Sequence, residues 1–127
     1  MSVKMLVVDD EQDVEMLFNQ RFRKSIRSGE ITIHYAFSAE DAITYLNTLH
    51  PPDIALILSD INMPGMSGFD LLQNVKKEFP QIHVMMLSAY GDPGNQEKAR
   101  TLGADDLLSK PLNFQLLEEK LSSLLQP

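Results

Sequence analysis

A doubly wound α/β fold, with one five-stranded parallel sheet and five helices in a single domain spanning residues 1–127, is predicted for this chain by three observations. Short apolar runs alternate five times with segments of helical periodicity, which is the pattern of repeated strand–helix units. The first, third and fourth runs are apolar almost throughout, as parallel strands covered on both faces are. The length of 127 residues, with 43% hydrophobic and 23% charged residues, gives one core of sufficient size without disulfides or a structural metal.

The first strand is read at residues 4–8 and leads into a helix striped by Val14, Leu17, Phe18, Phe22 and Ile26, spaced by three and four. Gly29 ends it. The second strand, residues 31–36, is interrupted by Thr32 and His34, which puts it in a more exposed position than the others. Ser38 is the expected N-cap of the second helix, with Asp41 three residues on; Ala42, Ile43 and Leu46 supply its inner face, and Pro51 and Pro52 stop it. After the third strand, residues 54–59, the same device recurs. Ser67 and Asp70 open the third helix, Phe69, Leu72, Val75 and Phe79 stripe it, and Pro80 closes it.

The fourth strand, residues 83–87, is followed by a shorter helix with Asp92 as N-cap, Pro93 at its first position and Gly103 beyond its end. Ala99 and Leu102 are nearly all it has to bury, so it is expected to be the least firmly held. A short fifth strand, residues 106–109, precedes a helix beginning at Asn113. Leu112 and Leu117 form a hydrophobic staple across that start, and Phe114, Leu117, Leu121 and Leu124 continue the stripe.

A formal charge of −7 argues against direct nucleic-acid binding, which needs clustered Lys and Arg. The one basic cluster, Arg21, Arg23, Lys24 and Arg27, falls near the end of the first predicted helix, where cations favour the negative end of the macrodipole. No stretch approaches the roughly 20 apolar residues of a membrane span. Residues 1–8 lack a signal-peptide pattern and the sequence has no cysteine, so a cytoplasmic location is expected.

In an open parallel sheet the ligand site lies beyond the carboxyl ends of the strands. Asp9 and Asp10 follow the first run, Asp60 the third, Ser88 the fourth and Lys110 the fifth. Each alone reads as a helix cap, a turn or a solvated charge; together they read as a site. Three neighbouring carboxylates repel one another and call for a cation. With only oxygen donors and no cysteine or paired histidine, that cation is a hard one, and magnesium fits better than zinc. His34, His50 and His83 are isolated in sequence and read as surface or packing residues. A metal beside a carboxylate, a hydroxyl and a lysine is also an apparatus for phosphoryl transfer, with Asp60 as the nucleophile.

These residues resemble the receiver domain of two-component response regulators, the family of the chemotaxis response regulator. The motifs are VVDDE at 7–11, SDINMPGMSG at 59–68, LSAY at 87–90, GADD at 103–106 and SKP at 109–111, and they extend over nearly the whole chain. The resemblance implies a flavodoxin-like fold in which Asp60 accepts a phosphoryl group from a sensor histidine kinase or phosphotransfer protein. It implies that magnesium is held by Asp9, Asp10, Asp60 and the backbone carbonyl of Asn62, that Ser88 and Lys110 contact the phosphoryl oxygens, and that the Lys110–Pro111 bond is cis. Output through a homodimer or effector is expected on the surface of the fourth helix, fifth strand and fifth helix. The family usually has an aromatic residue three positions before the lysine, which turns inward as the hydroxyl residue moves; Leu107 stands there, and a weaker or different output movement is expected. Tyr90 and Asn62 are placed to set the lifetime of the phosphoryl group.

Two other readings compete. A magnesium-dependent phosphatase working through an aspartyl phosphate carries a second Asp two residues after the nucleophile as acid and base; here that position is Asn62, so the proton donor is missing. A nucleotide-binding module needs a glycine-rich loop after the first strand, where this chain has Asp9, Asp10 and Glu11. The expected protein is therefore not an enzyme beyond catalysing its own phosphorylation and dephosphorylation.

Overall fold

A computed structural model describes residues 3–49, 52–88 and 93–125; the expectations for His50, Pro51, Tyr90 and Asp92, and for the side chain of Leu124, lie outside what is described. The elements in chain order are β1 (Val3–Val8), α1 (Asp13–Arg21), α2 (Arg23–Arg27), β2 (Ile31–Ala36), α3 (Ala39–Asn47), β3 (Leu56–Asp60), α4 (Gly68–Glu78), β4 (His83–Ser88), α5 (Pro93–Thr101), β5 (Asp106–Ser109) and α6 (Phe114–Leu125). The strands form one sheet in the order β2-β1-β3-β4-β5, and every pairing is parallel. The chain leaves β1 toward β2 on one side and later returns to place β3 on the other. The connections therefore diverge at the carboxyl end of β1, and a crevice opens between β1 and β3.

Period-two alternation divides the apolar residues between two cores. Leu6, Val8, Ile57, Val84 and Met86 point to one face, where Ala42 and Leu46 of α3 and Leu72 and Val75 of α4 cover them. Met5, Val7, Leu58, Met85 and Leu87 point to the other and meet Phe18, Phe22, Leu117 and Leu121. β3 is buried along its whole length, whereas β2, at the sheet edge, alternates between part-buried and exposed. The interruption by Thr32 and His34 is explained by that edge position.

Among the described residues six helices form where five were expected. The first predicted helix is divided because Phe22 leaves helical geometry (φ −101°, ψ 18°). Its ring is buried and lies 5.9 Å from Phe18 and 6.3 Å from Phe114, while hydrogen bonds from Phe22 N–H to Phe18 O and from Ile26 N–H to Phe22 O carry the chain across the break. Leu17, expected to face the sheet, is 49% exposed. Phe18 and Phe22, four residues apart, occupy the inward face, and their neighbour Leu17 is rotated by about 100° to the rim. Of the basic cluster, Arg21 pairs with Glu118 at 2.9 Å and lies over the Phe114 ring.

The caps predicted at Ser38, Ser67 and Asn113 form, the first two with one difference. Ser67 and Asp70 make both halves of a capping box, whereas at α3 the Ser38 side chain accepts from Asp41 N–H, a single cap bond. Asn113 Oδ1 accepts from Leu116 N–H and so caps α6. Gly29 and Gly103, beyond α2 and α5, have φ of 81° and 96°, a backbone region that favours glycine. β3 begins at Leu56 rather than at Ile54. On α5, Ala99 is buried, and Leu102, just past its end, is half-buried, so the thin stripe is confirmed.

At the amino end of β4 and β5, Asp105 ties three elements together. Its carboxylate accepts from Val84 N–H at 2.7 Å and from Lys76 Nζ at 3.0 Å, with His83 Nδ1 at 3.4 Å. Burial acts to raise its pKa, but these donors outweigh burial and hold the carboxyl below its ordinary range. Its stabilisation is therefore present at neutral pH and lost as pH falls below the ordinary carboxylate value. Asp105→Ala is expected to cost about 2 kcal/mol, the typical value of hydrogen bonds to a charged group. Urea unfolding at neutral pH checks this, and the gap to wild type should narrow in acid.

Candidate functional site

Four strand ends deliver the site. Asp9 directly follows β1, Asp60 is the last residue of β3, Ser88 the last of β4, and Lys110 directly follows β5. The register pairs Val8 with Ser59, Asp60 with Leu87 and Ser88 with Ser109, so the functional groups emerge along one edge. Backbone bonds fix each: Asp9 N–H to Ala36 O, Ile61 N–H to Leu87 O, and Lys110 N–H to Ser88 O. Asp9 Oδ1 also accepts from Glu11 N–H at 2.9 Å, which orients the carboxylate across the crevice. The Lys110–Pro111 bond is cis, as the resemblance implied.

Asp9, Asp10 and Asp60 each offer a carboxylate oxygen, and these oxygens all lie within 4.8 Å of one another. Lys110 Nζ donates to Asp60 Oδ2 at 3.1 Å and to Asp9 Oδ2 at 3.3 Å. Burial raises the pKa of Asp60, with a contribution from the charge of Asp9, and outweighs the opposing effects of Lys110 and the Asn62 N–H bond. Around Lys110, burial works against the charge, but Asp60 and Asp9 prevail and raise its pKa. The two shifts are not mirror images because Asp60 is the more deeply buried: its side chain is 8% exposed, against 30% for Lys110. Lysine is thus firmly cationic while the aspartate is held at a cost.

Three carboxylates against one ammonium leave negative charge uncompensated. The donor set is all oxygen. Of the described histidines, His34 stacks on Tyr45 with centroids 3.7 Å apart, and His83 lies beside Asp105 at the other end of the sheet. A hard cation that keeps several waters, such as magnesium, fits this set. Beside the acids a cavity of about 340 Å³ opens, lined by Asp9, Val14, Leu17, Lys110, Pro111 and Phe114 among others. Exposed Leu17 borders it.

On the other side, Ser88 is buried and its Oγ accepts from Asn95 Nδ2 at 3.2 Å. Leu107 is half-buried against the first core and borders a cavity of about 270 Å³ that also touches Gln96, Ala99, Arg100 and Ala104. Asn62 is exposed. Sequence reasoning missed two residues here. Asn95 gave no signal, since an Asn in a first helical turn looks solvated. Gly68, directly after the Ser67 cap, is the other: its N–H donates to Ile61 O at 2.8 Å, a backbone contact that spacing does not reveal.

Comparison with known proteins bears on the family and the fold. Residues 5–122 match the family model described as the response regulator receiver domain. The probable transcriptional regulator ycf27 of Cyanophora paradoxa is 34% identical over 97% of this chain and 48% of its own length. Chemotaxis protein CheY-3 of Vibrio cholerae is 28% identical over 98% of this chain and 93% of its own. The chain spans about half the length of the first curated relatives it matches. Among solved structures, a response regulator receiver domain protein from Clostridium thermocellum superposes with a TM-score of 0.84 at 26% identity, covering 96% of this chain and 93% of that one.

Proposed function

The chain belongs to the response regulator receiver domain family of two-component systems, and within that role we propose that Asp60 is its phosphoryl acceptor and that the reaction depends on magnesium. The observation that carries this reading is the Lys110 ammonium placed between the Asp60 and Asp9 carboxylates, at 3.1 and 3.3 Å, in a crevice whose remaining charge is negative.

An Asp60 carboxylate oxygen attacks the phosphorus of a phosphohistidine on a sensor kinase or phosphotransfer protein. The phosphorus–nitrogen bond breaks, its electron pair stays on the imidazole nitrogen, and that nitrogen takes a proton from water. Lys110 follows the developing charge on the phosphoryl oxygens, and Ser88 turns its hydroxyl to donate to one of them. Asp9, Asp10, Asp60 and the Asn62 carbonyl would hold magnesium, which when bound offsets the repulsion between carboxylate and phosphoryl group. The cavity beside Lys110 leaves room for the incoming imidazole. Later, water attacks the phosphorus, the bond from the Asp60 oxygen to phosphorus breaks, and inorganic phosphate leaves with Asp60 restored as a carboxylate; Asn62 and Tyr90 are assigned to the rate of that step.

The product is a binding switch rather than a turnover enzyme. Its output surface is proposed on α5, β5 and α6, toward a second copy or an effector, and an output domain such as a transcriptional regulator carries is one such effector. The segment is not assigned nucleic-acid or membrane binding, and among the described residues no helix is long and apolar enough to cross a membrane. A cytoplasmic setting is part of the proposal. Intact mass after exposure to a small acyl phosphate, with magnesium and with a chelator, tests it; an adduct that ignores the chelator would remove magnesium from the account.

Leu107 makes a second expectation for the same surface. A leucine fills less of the space beside β5 than an aromatic ring and offers no phenolic hydrogen bond. Leu107→Tyr is expected to enlarge the chemical-shift changes that a phosphoryl mimic produces in α5, β5 and α6. Changes of unaltered size would show that Leu107 is only a core residue.

A further inference from the structure

We infer that Asn95 is a positioning residue that couples the Ser88 hydroxyl to the first turn of α5, doing through a side-chain amide what Leu107 cannot do through a ring. The inference rests on the phosphoryl-acceptor reading of Asp60. Ser88 is the last residue of β4 and Asn95 the third of α5; the bond from Asn95 Nδ2 to Ser88 Oγ, 3.2 Å long, spans the connection between them.

What holds α5 makes that bond consequential. Its inner face buries Ala99, one turn beyond Asn95, and Leu102, just past its end, is half-buried. Lys98 sits 4.7 Å over the Phe69 ring of α4, and Ala104 N–H closes the far end on Ala99 O. The far end is therefore held by backbone and packing. Near the start of the helix, the Asn95 amide on Ser88 is a side-chain tie directly to the site.

Phosphoryl oxygens only accept hydrogen bonds, so Ser88 must present its hydrogen to them, and in the proposed switch its Oγ turns toward them and away from Asn95. Asn95 loses its acceptor when that happens. Ser88 then reports the state of Asp60, and the first turn of α5 loses the Asn95 tie to β4 on phosphorylation. By linkage the effect is reciprocal: whatever weakens the Asn95 bond favours the turned Ser88, and hence favours the phosphoryl group.

This predicts a gain, which a merely structural residue would not give. Fluoroberyllate, a mimic of the phosphoryl group, is titrated with magnesium into wild type, Asn95→Ala, Ser88→Ala and the double variant, following backbone amide shifts, with urea unfolding measured on each. Asn95→Ala is expected to bind the mimic about fivefold more tightly, the equivalent of one ordinary hydrogen bond. Before any mimic is added, its amide shifts at 96–101 should already lie partway toward the bound values. In the Ser88→Ala background the Asn95 substitution should change nothing, because the shared bond is gone. Unchanged or weaker binding by Asn95→Ala overturns the coupling, as does an equal gain in the absence of the Ser88 hydroxyl. Failure of wild type to bind the mimic would instead strike at the Asp60 reading itself.

Discussion

Asp60→Asn is expected to yield no phosphoryl adduct by intact mass after treatment with a small acyl phosphate and magnesium, under conditions in which wild type gains one phosphoryl group. The neutral amide has no carboxylate to attack phosphorus, and Asp9 and Asp10, although within 4.8 Å, are assigned to the cation. An adduct that persists in the variant would move the acceptor elsewhere. The same substitution should have a second, opposite consequence for folding. Asp60 is 6% exposed and its pKa is raised, first by burial. Between its ordinary value of 3.8 and that raised value, the folded protein holds more protons than the unfolded chain. Stability therefore falls as pH rises through this window and stays lowered above it.

The amide escapes that cost. In the absence of magnesium, Asp60→Asn should be more stable than wild type at neutral pH, with the difference vanishing below the ordinary carboxylate range. Magnesium should reverse the order, since an ion that binds the folded trio stabilises wild type by mass action and the variant less. Denaturant titrations at two pH values, with and without the ion, measure all of this. A wild type that is more stable than the variant without magnesium would mean that Lys110 already compensates the buried charge.

The largest loss of stability is expected at Gly68. A Cβ built there collides with Asp60 O and meets Ile61 Cα at 2.9 Å, and both are backbone, so no side chain can swing aside. Gly68 N–H also donates to Ile61 O at 2.8 Å. The first turn of α4 thus rests against β3 at Asp60, its last residue. Gly68→Ala must push α4 outward or displace Asp60, at a cost of about 3 kcal/mol, the upper end of ordinary overpacking. Wild-type unfolding energy together with wild-type fluoroberyllate affinity in Gly68→Ala would refute the contact. Loss of both locates the strain at the site rather than in α4 alone.

Much of this protein is legible in its residue order. Strand ends, helix caps and the apolar stripes are local or periodic properties, and Ser38, Ser67, Asn113 and Gly103 act where their chemistry predicts. The grouping of Asp9, Asp10, Asp60, Ser88 and Lys110 follows as soon as the runs preceding them are parallel neighbours, because parallel register carries every carboxyl end to the same edge. The family motifs add the expectation of the cis bond and of the roles within the trio.

Tertiary structure decided what spacing leaves degenerate. Leu17 and Phe18 are equally apolar, and only packing against Phe114 and the sheet selects Phe18 as the buried one and leaves Leu17 at the rim. The break at Phe22 has the same origin, since its ring is drawn into the second core at the expense of helical geometry. The raised pKa of Asp60 depends on how much water the closed crevice removes, which no sequence window measures. Gly68 under Asp60 and Asn95 on Ser88 join a strand end to the first turn of the helix that follows it, and these contacts depend on how the chain turns back between them. The sequence determined which groups meet at the strand ends. Three-dimensional packing determined which of them are dehydrated, which are paired and which neighbours they move, because burial and through-space contact are properties of the folded surface rather than of any segment of it.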